Sequence, residues 1–120
     1  MSTVTTFDLD RFTRAFEERD AATQLSMYGP DAVVTIVDKI TQPGAPRVLR
    51  THEEIQAWLE EIAAADATHK VKHRVLDDTG AAFTVACRYS DGTNVVCGTV
   101  IELDGGVISG QTALQVWDEA

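Results

Sequence analysis

The chain has 120 residues, of which 44% are hydrophobic, and a formal net charge of −9. That length builds one domain with a real core, and that composition is not the composition of a disordered chain. The acid excess repels nucleic acid and anionic membranes, and no run of residues approaches a membrane span.

The first residues, Met1-Ser2-Thr3, do not read as a signal peptide, so a cytoplasmic protein is expected. Asp8 can cap a first helix, with Leu9, Phe12 and Phe16 at helical spacing and an end near Glu18-Arg19-Asp20. Asp20 can cap a second, shorter helix carrying Leu25 and Tyr28, stopped by Gly29-Pro30. Residues 33–38 form a strand, and a loop with Pro43, Gly44 and Pro46 leads to a short strand over 47–50. Thr51-His52-Glu53-Glu54 is a capping box, opening a third helix whose apolar stripe is Ile55, Trp58, Leu59 and Ile62. Residues 68–76 alternate: His69, Val71, His73 and Val75 face one way, Lys70, Lys72 and Arg74 the other.

Three strands close the chain, over 82–89, 95–103 and 107–117, joined by turns at Asp91-Gly92 and Asp104-Gly105-Gly106. A hairpin folded about Gly92 sets Tyr89 opposite Val95, Cys87 opposite Cys97, Val85 opposite Thr99 and Phe83 opposite Ile101. That face is apolar and needs a cover from the N-terminal half. The other face, with Arg88, Val96, Val100 and Glu102, meets water or a partner. The two cysteines read as buried reduced thiols, with a cross-strand disulfide as the alternative.

Helix, helix, strand, strand, helix and four strands make an α+β fold: a cone-shaped, curved antiparallel sheet with three helices over its concave face, in a single domain over 1–120. Leu25-Ser26-Met27-Tyr28-Gly29-Pro30-Asp31-Ala32-Val33-Val34, Thr51-His52-Glu53-Glu54-Ile55 and Phe83-Thr84-Val85-Ala86-Cys87-Arg88-Tyr89 carry a resemblance to the nuclear-transport-factor-2-like superfamily. That group includes ketosteroid isomerases and SnoaL-like polyketide cyclases. The resemblance puts the isomerases' oxyanion-hole tyrosine at Phe12, their general base at Ile36, their protonated aspartic acid at Thr99 and a supporting tyrosine at Leu59. With the base and the charged donor gone, steroid isomerisation by that mechanism is not expected.

The resemblance also implies a pocket between sheet and helices, with Val34, Ile36, Asp38, Trp58, Val85, Cys87, Cys97, Thr99 and Gln111 facing inward. Asp38 and His73 are the candidate catalytic pair, since each could exchange protons in an apolar site. Phe12, Tyr28, Ile36, Trp58, Val85, Cys87, Cys97, Thr99 and Gln111 are the candidate substrate contacts. A solvated Asp38 at the strand end, an exposed His73, and His69 as the inward histidine remain open alternatives. Four residues along a strand span about 13 Å, so His69 and His73 do not share a zinc, and no metal or cofactor motif is read. The expected function is SnoaL-like acid–base chemistry of isomerase, cyclase or hydratase type on a small apolar polyketide- or terpenoid-like molecule. A non-catalytic ligand-binding or dimerisation module is the alternative. A homodimer through the outer sheet face is expected, with no nucleic acid or membrane partner.

Overall fold

A computed structural model describes residues 7–118. Helix α1 spans Leu9–Glu17, with the Asp8 carboxylate accepting from the Arg11 N–H at 3.0 Å. That bond satisfies one of the first-turn donors a helix leaves open. The helix stops where Arg19 turns left-handed, at φ 61°. The Arg19 guanidinium then donates to the Ala67 carbonyl, tying this turn to the start of β3 (Ala67–Leu76). Asp20 caps α2 (Ala21–Leu25) by accepting from both the N–H and the hydroxyl of Thr23.

Tyr28 corrects the sequence reading. It opens strand β1 (Tyr28–Val37) instead of riding on the second helix. The Ile108 N–H donates to the Met27 carbonyl, which draws this segment onto strand β6 (Val107–Trp117). Gly29 and Pro30 therefore sit in a register irregularity at the start of a strand, a position proline tolerates.

Strand β2 spans Arg47–Leu49 and α3 spans His52–Ala64, capped by the Thr51 hydroxyl accepting from Glu54 N–H at 3.1 Å. Strands β4 (Gly80–Tyr89) and β5 (Asn94–Asp104) complete one six-stranded sheet in the order β2-β1-β6-β5-β4-β3. The helices cover one face, as expected of the α+β cone. The pairing of β1 with β6 is parallel and the others antiparallel, so the sheet is mixed. No helix among the described residues is long and apolar enough to cross a membrane.

Two register details differ from the sequence reading. The β4–β5 hairpin pairs Cys87 with Val95, Val85 with Cys97 and Phe83 with Thr99, two residues away from the expected register. The turn over residues 90–93 is the cause, with the Gly92 N–H closing on the Tyr89 carbonyl at 3.0 Å. A shift of two keeps every side chain on its face. Cys87 and Cys97 are consequently diagonal neighbours, and both are free.

The second difference is a bulge in β3. Pairing with β4 jumps between Lys72 and Val75, and His73 there has φ 57°. An extra residue reverses the alternation beyond it. His73 therefore points to the outer face, where its Nδ1 meets the Thr84 hydroxyl at 3.0 Å. Arg74, expected outside, instead reaches α1, donating to Asp10 at 2.6 Å and to Thr13 at 3.4 Å. Val75 turns outward and is 61% exposed.

Candidate functional site

The strands and helices open at one end of the cone. There the C-terminal ends of β1, β4 and β6 meet the N-terminal ends of β3 and β5 and the last turns of α1 and α3. They enclose a cavity of about 210 Å³. α1 supplies Phe16, and the end of α3 supplies Trp58, Glu61, Ile62 and Ala65. The sheet supplies His69, Cys87, Tyr89, Val95, Cys97, Gln115 and Trp117, and Asp38 and Arg47 flank the β1–β2 loop.

Of the residues singled out in the sequence, Asp38, Trp58, Cys87 and Cys97 come together here. Phe12, Tyr28, Ile36, Val85, Thr99 and Gln111 face inward but lie deeper, buried in the core. Tyr28 donates to the Gln111 side chain, and burial raises its pKa, with that bond opposing. These six are packing residues of the closed end. His73 is corrected outright as an inward group, because the bulge carries it to the exposed surface. His69 is the histidine in the cavity. Its position in β3 precedes the bulge, so the simple alternation holds there.

His69 pairs with Cys87 in the β3–β4 ladder, and its Nδ1 lies 3.2 Å from the Cys87 sulfur. Burial, with a lesser push from Cys97, raises the Cys87 thiol to about 11. The thiol thus keeps its proton and meets the imidazole at Nδ1 as a neutral group. Burial also lowers the His69 pKa, with the Arg19 charge a lesser cause in the same direction. The Ile62 carbonyl opposes both but makes no well-formed bond, and Nε2 is buried without a partner. Phe16 stands edge-on to the ring, centroids 5.2 Å apart. Cys97, its pKa raised by burial, lies 3.6 Å from the Thr99 hydroxyl.

Asp38 sits just beyond β1. Its Oδ1 accepts from the Ile40 N–H at 2.9 Å and from the Thr41 hydroxyl at 3.2 Å. This side-chain-to-backbone turn fixes the carboxylate at the rim. Arg47 faces Glu61 at 3.6 Å, a long and exposed pair that contributes little. Tyr89 and Trp117 stack, centroids 5.5 Å apart, and the Lys39 ammonium lies 4.3 Å from the Trp117 ring centre. Sequence reading missed Tyr89, Gln115 and Trp117. Their alternation marked one sheet face, but not which end of that face stays open. Among the described residues, no three His, Cys, Asp or Glu side chains gather as metal ligands.

The family described as SnoaL-like domain matches residues 9–111. The chain belongs to the SnoaL-like family. No curated protein matches it. Solved structures share the SnoaL-like fold. An NTF2-like protein from Mesorhizobium loti has a TM-score of 0.76 at 15% identity, over 90% of this chain and 87% of that one. An NTF2-like protein from Burkholderia xenovorans LB400 has a TM-score of 0.74 at 15% identity, over 93% of this chain and 80% of that one. The epoxide hydrolase/cyclase-like enzyme SalBIII, of pyran ring formation in the polyether salinomycin, has a TM-score of 0.68 at 16% identity, over 90% and 87%.

Proposed function

We propose that this SnoaL-like protein is an enzyme performing acid–base chemistry, of isomerase, cyclase or hydratase type, on a small apolar polyketide- or terpenoid-like molecule held at the open end of the cone. It works in the cytoplasm as a homodimer joined through the outer sheet faces. The observation that supports the reading is one largely apolar cavity lined by both a half-buried imidazole, His69, and a rim carboxylate, Asp38. A depressed pKa keeps His69 neutral near pH 7, able to take a proton from a substrate and return it. Asp38 supplies the charged partner, its position fixed by its own turn. The cyclase-like description of SalBIII agrees with a reaction of this kind on this fold.

The test is turnover of a panel of apolar ketones and epoxides by the wild type, His69→Gln and Asp38→Asn, with binding measured alongside. Either substitution should cut turnover by about a hundredfold or more while leaving binding within about threefold. Full activity in both variants overturns the assignment. A panel that binds but is never turned over selects the non-catalytic binding module, a reading favoured by the way Asp38 Oδ1 is occupied by its own loop.

A further inference from the structure

The cavity has a floor, and the floor is closed. Phe12 lies one turn below Phe16, Ile36 one step below Asp38 and Thr99 one step below Cys97, and the ladder runs that row from Ile36 through Ala113 and Thr99 to Phe83. These strand residues are cross-strand neighbours in one row, and Phe12 of α1 packs against its Phe83 end. None is more than 4% exposed. Phe12 is ringed by Phe7, Tyr28 and Phe83, with centroids 5.6, 5.9 and 6.3 Å away. Three aromatic partners around one buried phenyl ring fill the narrow end of the cone.

We infer that the cavity takes an uncharged ligand of single-ring size, and that Phe12 is the residue that sets this limit. This rests on the reading of the cavity as the ligand site, and not on the reaction assigned to it. An apolar cavity of about 150 Å³ holds benzene. The 210 Å³ here therefore accommodates one substituted ring and not a fused polycycle. The walls suit a flat or puckered ring, with Trp58 on α3 and the Tyr89–Trp117 stack on the sheet. Charge gives an anion no net pull: at the rim Asp38 and Glu61 are matched by Arg47 and by the Lys39 ammonium over Trp117, and the chain as a whole carries −9. A cation is opposed by the apolar depth of the site, where its desolvation meets no buried carboxylate.

The chain has two tryptophans, Trp58 and Trp117, and both line the cavity, so intrinsic fluorescence reports its occupancy. The wild type and Phe12→Leu are titrated with methylcyclohexanone, decalone and androstenedione, and thermal melts check folding. Ile36→Val, which trims the same floor by less, replaces Phe12→Leu if that variant does not fold. The expected result is saturable binding of the single-ring ketone by the wild type, with the tetracyclic ketone at least about tenfold weaker. Trimming the floor should narrow that ratio by improving binding of the larger rings. Equal binding of all three ketones by the wild type overturns the inference. So does the absence of any fluorescence change, or a ratio unmoved in a folded floor variant. Turnover is not measured, so a failure of the Asp38–His69 assignment leaves this result untouched, and the reverse also holds.

Discussion

His69 and Cys87 act on each other through a single contact. Burial holds the Cys87 thiol protonated, so its sulfur meets the ring at Nδ1 as a neutral group. The histidine's depressed pKa then has a thermodynamic consequence. Above its ordinary value of 6.5, His69 is neutral in both folded and unfolded chains. Below 6.5 the unfolded chain takes up a proton that the folded chain resists, so stability falls as pH falls through that window. Below the lowered native pKa both states are protonated, and the loss levels off. Carboxylates add their own acid dependence, so the comparison must be a difference. The melting temperature of His69→Gln, minus that of the wild type, should be constant between about pH 8 and pH 7 and rise toward about pH 5. A difference flat across that range would show that His69 titrates as it does in the unfolded chain.

At the scale of elements, β3 is shaped by one residue. The left-handed His73 inserts an extra position opposite Phe83, and everything beyond changes face. Histidine is among the residues that tolerate positive φ, while a β-branched residue is not. The bulge serves the packing of α1, because it directs Arg74 onto Asp10 and Thr13. Ahead of the bulge in the same strand, the Val71 N–H donates to the Glu17 carboxylate at 3.0 Å, which occupies a backbone group on the sheet's edge. His73→Val should therefore cost about 1–3 kcal/mol in a denaturant melt, from backbone strain alone. Its ligand titration should match that of the wild type, because His73 lies outside the cavity. Weakened binding in a fully folded His73→Val would mean that the bulge positions His69 as well.

The whole molecule leaves one face uncovered. Val96, Val100, Leu114 and Val116 on the outer surfaces of β5 and β6 are 52, 55, 50 and 72% exposed. Gly98 lies among them in mid-strand, paired with Leu114, and a side chain added there would meet nothing within 4 Å. Glycine inside a strand costs about 0.5–1 kcal/mol relative to alanine, and packing within the protomer does not explain it. A flat apolar patch centred on a glycine suits close approach by another sheet, and a second copy of the same patch is self-complementary about a two-fold axis. Sedimentation velocity at micromolar concentration should show a dimer, and Val96→Lys with Leu114→Lys should return the monomer. A wild type sedimenting only at 13.1 kDa would sink the proposed dimer.

Most of the elements and their faces are legible in short stretches of sequence. Helix caps at Asp8, Asp20 and Thr51 act locally, through bonds to donors three residues on, and so could be read from short stretches. Inward and outward faces of β4 and β5 survived even a misjudged register, because side chains alternate with a period of two and the slip was also two. What failed were features set by distant partners. Tyr28 follows a helix in the chain, but its pairing with Ile108 makes it a strand residue. His73 and His69 look equivalent in an alternating pattern, and a single bulge separates them. The depth of the cavity was decided by tertiary structure alone. Where the cone closes depends on Phe7, Phe12, Tyr28 and Phe83 converging from α1, its preceding residues, β1 and β4, and no local pattern records that meeting.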